Sequence, residues 1–188
     1  MRELTYYVAV SLDGYIAGPD GQYDAFPMEG DHMQVLMDEF TETLPVHLQD
    51  ALGLTVRDPC FDTVVSGWNT YEIGPRDGFP SPYSHLRQVV ATRRHRVDVP
   101  GIEVTADPVA TVRAMKEEDG LGIWLCGGGD LAATLAPEID RLILKRNPVV
   151  LGAGIPLFAG PYEPRAFRLE GTRVFESGVV IEEYARVA

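Results

Sequence analysis

The sequence has little cysteine and no long apolar segment. Its 188 residues include only two cysteines, Cys60 and Cys126, so a disulfide framework is excluded and a single disulfide stays an open alternative. The longest apolar runs fall far short of a membrane span, and the N-terminus lacks the apolar core of a signal peptide. We therefore expect a cytoplasmic protein that does not enter a membrane.

Basic residues are also scarce, which excludes further classes of partner. Lysine and arginine total 16 against 28 acidic residues, and this net charge of -12 argues against nucleic acid and anionic lipid as partners. The four histidines show no metal-ligand spacing with one another or with the cysteines, so no metal site is expected. Neither a G-x-x-x-x-G-K-[ST] phosphate loop nor a G-x-S-x-G nucleophile turn occurs.

What the sequence does contain is the alternation of strands and helices that is typical of one α/β domain, here over residues 1–188. The apolar fraction of 45% is ordinary for a globular chain of this length. Aromatic and β-branched runs predict strands at 4–10, 62–66, 87–92, 102–105, 123–126 and 141–145. Helices are predicted from Asp31 to about residue 44, from Pro108 to Gly120 and from 130 to 136, with a broken helix within 46–58.

This order of elements predicts the sheet. Strands that alternate with helices imply a mostly parallel central sheet with flanking helices. The last two strands, 167–175 and 179–184, join at a serine-glycine turn and predict an antiparallel hairpin at the edge of the sheet. Open parallel sheets bind ligands at the carboxyl ends of their strands, so the residues that follow each strand are the candidates for function.

The clearest candidate is a run of three glycines, Gly127, Gly128 and Gly129, between a strand and a helix that begins at Asp130 and Leu131. Glycines let a ligand approach the backbone closely, and the first N–H groups of a helix favour a phosphate. The alternative is a tight strand-to-helix turn that holds no ligand.

Two further strand ends carry polar groups. Gly67, Trp68 and Thr70 follow the second long strand, where the threonine hydroxyl suits either a phosphate oxygen or a helix cap. Thr92 and Arg93 open a cluster of three arginines and a histidine at 92–96, which stands out in such an acidic chain. Guanidinium groups grip phosphates in bidentate geometry, so this cluster indicates the extra phosphate of NADP; the alternative is a solvated strand end.

Four motifs together resemble the dihydrofolate reductase superfamily, and in particular the branch that includes the reductase domain of the bifunctional riboflavin-biosynthesis deaminase-reductase. The segment S-L-D-G-Y-I-A at 11–17 is similar to that branch's S-L-D-G-x-I-A, and G-W-N-T-Y-E at 67–72 to its G-R-x-T-Y-E. G-G-G-D-L at 127–131 and P-V-V-L-G-A-G-I-P-L-F at 148–158 are similar to its glycine turn and its glycine-rich loop. The four occur in the family's order.

The resemblance implies a three-layer dihydrofolate-reductase-like fold and an NADPH-dependent reductase of a small heterocyclic or carbonyl substrate. By analogy, Ala9 and Ile16 flank the nicotinamide, and Thr70 contacts the pyrophosphate beside the amides of residues 128–130. Thr92 and Arg93 lie near the adenosine 2′-phosphate. Trp68 is a departure, because the family often has an arginine there that helps to hold the cofactor phosphate; Arg93, Arg94 or Arg96 is a candidate to compensate for it.

A reduction of this kind also requires a proton. In dihydrofolate reductases an acidic residue near the start of the first helix assists, and Asp31 is nearest to that place here; its alternative role is a helix N-cap. The resembled branch is commonly dimeric, so a homodimer is expected, with the 148–158 loop as a substrate-pocket wall or a dimer contact. A different class of function stays open, namely a non-catalytic nucleotide-binding or dimerisation module that kept the fold.

Overall fold

The computed structural model describes residues 1–187, which fold around one large β-sheet. The strands along the chain are β1 (Leu4–Val10), β2 (Tyr15–Ala17), β3 (Phe61–Gly67), β4 (Arg87–Ala91), β5 (Ile102–Thr105), β6 (Gly122–Gly127), β7 (Arg141–Arg146), β8 (Ile155–Pro156), β9 (Phe167–Val174) and β10 (Val180–Arg186). The helices are α1 (His32–Glu39), α2 (Val46–Leu52), α3 (Trp68–Tyr71), α4 (Ile73–Arg76), α5 (Pro108–Glu117) and α6 (Gly129–Leu135), with a 3₁₀ turn at Thr41–Thr43.

Eight of these strands form the sheet, in the order β5-β4-β3-β6-β1-β7-β10-β9. The strands from β5 to β7 run parallel, whereas β10 is antiparallel to β7 and β9 is antiparallel to β10. This arrangement confirms the predicted α/β sheet with an antiparallel C-terminal hairpin at its edge. The parallel order brings the carboxyl ends of β4, β3, β6, β1 and β7 to one side of the molecule.

Each face of the sheet buries its own apolar cluster beneath helices. On one face, Val112 and Met115 of α5 and Leu131 and Leu135 of α6 pack with β1 residues such as Tyr6. On the other face, a second cluster combines Tyr7, Phe40, Phe61, Trp124, Ile143 and Ile181, with Val35 of α1 packed against it. The helices on both faces complete the three layers. None of the helices within residues 1–187 is long and apolar enough to cross a membrane.

The first helix is shorter than the apolar spacing predicts. It ends at Glu39 rather than near residue 44, because two threonine hydroxyls compete for the backbone carbonyls beyond that point. Thr41 Oγ1 donates to the carbonyl of Met37 at 2.6 Å, and Thr43 Oγ1 donates to the carbonyl of Phe40 at 2.7 Å. The chain therefore leaves the helix through a 3₁₀ turn before the proline at position 45.

Candidate functional site

A cleft of about 930 Å³ opens at the carboxyl ends of the parallel strands. Its volume lies within the range of small-molecule and cofactor sites. Eleven of the residues that the sequence suggests for cofactor binding line it together: Ile16, Gly67, Trp68, Thr70, Thr92, Arg93, Gly127, Gly128, Gly129, Asp130 and Leu131. Residues from distant segments meet here because β3, β4 and β6 end at the same side of the sheet, and Ile16 of the separate β2–β8 pair lines the same cleft.

The glycine turn lies against the end of β3. Gly127 has a φ of +140°, a backbone conformation that residues with a side chain rarely adopt, and its peptide bond to Gly128 is cis. A Cβ built on Gly127 or on Gly128 would stand 3.6 Å from the Thr70 hydroxyl oxygen. One built on Gly67 would stand 3.6 Å from the Gly127 carbonyl oxygen. The absence of side chains therefore leaves a narrow cradle between the turn and the threonine.

The third glycine serves packing instead. A Cβ on Gly129 would collide with the carbonyl oxygen of Pro156 in β8, and the Gly129 carbonyl accepts a hydrogen bond from the amide of Ala159 at 3.0 Å. Gly129 begins α6, and none of the side chains in residues 1–187 caps its first turn. The first N–H groups of α6 are thus left to other partners, which is the arrangement that anions favour.

The 148–158 loop is held beside β2, and one of its residues reaches the cleft. Asp13 accepts hydrogen bonds from the amides of Leu151 at 3.1 Å and Gly152 at 2.7 Å. The pKa of Asp13 is lowered chiefly by the hydrogen bond from the Ser11 hydroxyl, and these amides add to the effect. Ile155, which pairs with β2, lines the cleft. The two predicted roles for this loop, a substrate-pocket wall and a dimer contact, stay predictions.

The basic cluster surrounds the outer end of the cleft. Arg93, Arg94 and Arg76 line it, and the first two are exposed, with no carboxylate of residues 1–187 within 4 Å of either guanidinium. Thr92 uses its hydroxyl to accept hydrogen bonds from the amides of Arg94 at 3.3 Å and His95 at 3.1 Å. Thr92 therefore shapes the loop that presents the arginines. Arg96 is not among the lining residues.

Trp68, where the resembled branch often has an arginine, makes an aromatic contact at the cleft. Its ring stacks on the imidazole of His95, with the centroids 3.9 Å apart and the planes 5° apart. Both rings line the cleft. Trp68 thus presents a flat apolar surface where an arginine would offer a phosphate ligand. The positive charges at this end of the cleft come from Arg76, Arg93 and Arg94.

The other two predicted residues lie outside the cleft lining. Ala9 is adjacent to Val8, which does line it. Asp31 caps α1 and accepts hydrogen bonds from the amides of Glu176 at 2.7 Å and Ser177 at 3.1 Å. Partial desolvation acts to raise the pKa of Asp31, but these backbone hydrogen bonds prevail and lower it. The geometry shows the N-cap role, and the role of Asp31 as proton donor stays a prediction without a contact that supports it.

Several residues that line the cleft were not predicted from the sequence. Arg76 lies in α4, at the start of a segment that glycine and proline predict to be loop, and Tyr23 lies in the long glycine-rich loop after β2. Cys126 also lines the cleft, and burial raises the pKa of its thiol to about 12, so it is no ready nucleophile. Within residues 1–187 no group of three or more His, Cys, Asp or Glu side chains is placed to hold a metal ion.

Comparison with known proteins shows the family of the chain. The family model of the RibD C-terminal domain matches residues 2–181. The chain belongs to the RibD C-terminal domain family. The chain is 32% identical over 185 residues to the uncharacterised protein YwjB of Bacillus subtilis (strain 168), covering 95% of each chain.

Solved structures with the same fold include proteins of the riboflavin pathway and dihydrofolate reductases. A putative riboflavin biosynthesis protein from Shewanella sp. PV-4 superposes with a TM-score of 0.68 at 22% identity, over 100% of both chains. The dihydrofolate reductase of Enterococcus faecalis, solved in complex with NADP(H) and RAB-propyl, gives a TM-score of 0.66 at 16% identity, covering 99% of this chain and 97% of that one. At these identities the likeness establishes the dihydrofolate-reductase-like fold of this RibD C-terminal domain.

Proposed function

We propose that the protein is an NADPH-dependent reductase of a small heterocyclic or carbonyl substrate. The observation that carries the proposal is the convergence of the glycine turn, Thr70 and the arginine loop on one cleft of suitable volume. Membership of the RibD C-terminal domain family supports it, as does a neighbour of the same fold that is solved with NADP(H). NADPH, when bound, supplies the hydride, and the protein supplies orientation and electrostatics.

The residues present fit a phosphate-rich dinucleotide. The cradle between the glycine turn and Thr70 would fill if either Gly127 or Gly128 had a Cβ, so its emptiness suits a ligand that approaches the backbone. We assign the pyrophosphate to this cradle and the adenosine 2′-phosphate to Arg93 and Arg94. Ala9 and Ile16 are the proposed neighbours of the nicotinamide.

A second function, a non-catalytic nucleotide-binding or dimerisation module, is favoured by two observations. Trp68 stands where a phosphate-binding arginine is common, and Asp31 is committed to backbone amides rather than to the cleft. Such a module would bind NADPH and reduce nothing. The two proposals therefore differ in turnover and agree on binding.

The cofactor is tested by calorimetric titration with NADPH and NADH. We expect NADPH to bind more tightly, and Arg93→Ala to remove most of that preference, because a guanidinium–phosphate contact is worth about 1.5–3 kcal/mol. Arg96→Ala is the matched control, since it removes the same charge from the same loop outside the cleft lining. If Arg93→Ala left the preference of the wild type intact, the 2′-phosphate assignment would be wrong.

Turnover is tested by following NADPH oxidation with pterin, dihydrofolate and ribosylaminopyrimidine acceptors. Oxidation of NADPH that depends on one of these acceptors supports the reductase. Tight NADPH binding with no oxidation across the panel supports the non-catalytic module instead. Failure of NADPH to bind would contradict the reductase and the nucleotide-binding module.

A further inference from the structure

Lys145 has no ion-pair or hydrogen-bond partner among residues 1–187, whereas the other lysine, Lys116, has both. The sequence contains only two lysines, Lys116 and Lys145. Lys116 Nζ lies 2.6 Å from the carboxylate of Asp140 and donates to the carbonyl of Glu138 at 2.6 Å. Among residues 1–187, no carboxylate lies within 4 Å of Lys145 Nζ and no hydrogen bond satisfies it; its nearest described contact is the Tyr7 ring, whose centroid is 5.9 Å away.

The strand register places Lys145 beside Ala9, near the carboxyl end of β7. In β7 it pairs with Ala9 of β1 on one side and with Ile181 of β10 on the other. Side chains alternate along a strand, so Lys145 shares the face of Ile143 and of the apolar cluster that includes Tyr7 and Ile181. The side chain is only partly exposed there.

The other charged groups on this face form ion pairs with one another. Arg173, which pairs with Ile181 on the far side of β10, binds both carboxylate oxygens of Glu39 at 2.7 and 2.8 Å. Its guanidinium also lies 3.4 Å from the carboxylate of Glu183. Lys145 is left among apolar groups and the Tyr7 ring, and burial lowers the pKa of its ammonium to about 8.

We propose that Lys145 is the proton donor of the reduction, with its ammonium hydrogen-bonded to the carbonyl oxygen or imine nitrogen of the substrate. The inference rests on the proposed function, because it takes Ala9 to be the neighbour of the nicotinamide. A half-buried ammonium with no protein partner loses part of its hydration, and a ligand that accepts its hydrogen bonds would restore that stabilisation. A group with this burial also releases its proton more readily than an ordinary lysine, which suits a general acid.

The step balances without another reagent. Hydride passes from NADPH to the carbon of the C=O or C=N bond, and NADPH becomes NADP⁺. The electron pair of that bond moves to the oxygen or nitrogen, which takes the proton from Lys145 Nζ. The neutral amine then regains a proton from water, which its partial exposure permits.

The small number of lysines makes a direct test possible. Reductive methylation with ¹³C-formaldehyde labels two lysines and the N-terminus, and Lys145→Met identifies the signal of Lys145 by its loss. Titration with NADP⁺ is expected to move the Lys145 signal and to lower its pKa by about 0.5 or more, because the oxidised nicotinamide ring carries a positive charge. The Lys116 signal, held by Asp140, is the internal control and should stay in place.

Each outcome decides between the proposals. If calorimetry shows that NADP⁺ binds and the Lys145 signal does not respond, the proton-donor proposal is wrong while the cofactor site stands. If NADP⁺ does not bind, both proposals fail.

Lys145→Met should keep or raise the melting temperature, since it removes an unpaired charge from apolar surroundings. With any acceptor that the wild type reduces, the variant should lose about 10²–10⁴-fold in kcat, and the wild-type kcat should fall above about pH 8.

Discussion

Gly128→Asp is expected to abolish most cofactor binding without disturbing the fold. Gly128 has a φ of -96°, which residues with side chains adopt readily. A Cβ added there would meet the Thr70 hydroxyl at 3.6 Å and the Ile16 methyl at 4.0 Å, both ordinary contact distances. The new carboxylate would therefore be accommodated in the cradle that we assign to the pyrophosphate.

The size of the effect follows from the repulsion between two negative charges. At about 4 Å the repulsion is roughly 1 kcal/mol in bulk water and about 4 kcal/mol at the effective dielectric constant near a protein surface. Since about 1.4 kcal/mol changes an equilibrium constant tenfold, the dissociation constant of NADPH should rise by about 5-fold to several hundred-fold. Calorimetry at 0.15 M salt measures it directly.

Gly128→Ala provides the matched control, because it adds the same Cβ without the charge. We expect Gly128→Ala, whose Cβ occupies part of the cradle, to weaken NADPH binding less than Gly128→Asp does, and circular dichroism and thermal unfolding of both variants to match the wild type. A folded Gly128→Asp protein that bound NADPH as tightly as Gly128→Ala would refute the assignment of the pyrophosphate to the glycine turn.

Three further predictions concern stability and assembly. Glu42→Ala should lower the free energy of unfolding in urea by about 2–5 kcal/mol, because the buried carboxylate accepts hydrogen bonds from the amides of Cys60 at 2.7 Å and Phe61 at 3.1 Å. Glu42→Gln should lose less stability. Equal losses for the two variants would contradict this interpretation. Asp31 has a lowered pKa, so it stabilises the fold above its ordinary value of 3.8 and that contribution disappears as the pH falls through its folded value. Between pH 6 and 3, the melting temperature should therefore fall more in the wild type than in Asp31→Ser, and parallel curves would contradict the interpretation. We also propose a homodimer, which light scattering at micromolar concentration should show as a mass near twice 20.7 kDa; a mass near 20.7 kDa would rule it out.

Much of the fold could be predicted because its strands have a simple apolar signature. The run at 4–10 is apolar on both faces, and β1 lies in the middle of the sheet with its side chains buried beneath helices on both sides. Asp107 and Pro108 predict the start of α5, and the Asp107 carboxylate does accept from the amide of Ala110 at 3.1 Å. Here the local signal and the tertiary environment agree.

Elements that depend on distant partners could not be predicted from the sequence. The strands β2 and β8 have three and two residues, too few for any periodicity, and each exists because the other lies beside it. The early end of α1 also depends on hydroxyl contacts that apolar spacing does not register. In each case the deciding interaction is a hydrogen bond rather than the burial of an apolar side chain.

The candidate site divides in the same way. The glycine turn, Thr70 and Arg93 are visible in the sequence because they stand at the ends of apolar strands, and the cleft contains all of them. Lys145 is not visible, because a lysine at the end of an apolar strand is indistinguishable from a solvated one. Its significance depends on Arg173, which pairs with Glu39 and Glu183 and so occupies their carboxylates.

The sequence by itself determined the order of strands and helices, the parallel sheet and the residue types that stand at its carboxyl edge. These properties follow from local apolar periodicity and from backbone preferences, which act over a few neighbouring residues. Only the tertiary structure decided which of the polar groups face the cleft, that Asp31 caps a helix outside it, and that Lys145 has no partner among the described residues 1–187. Those outcomes depend on pairings across the sheet, such as that of Ala9 with Lys145, between residues that lie far apart in the chain.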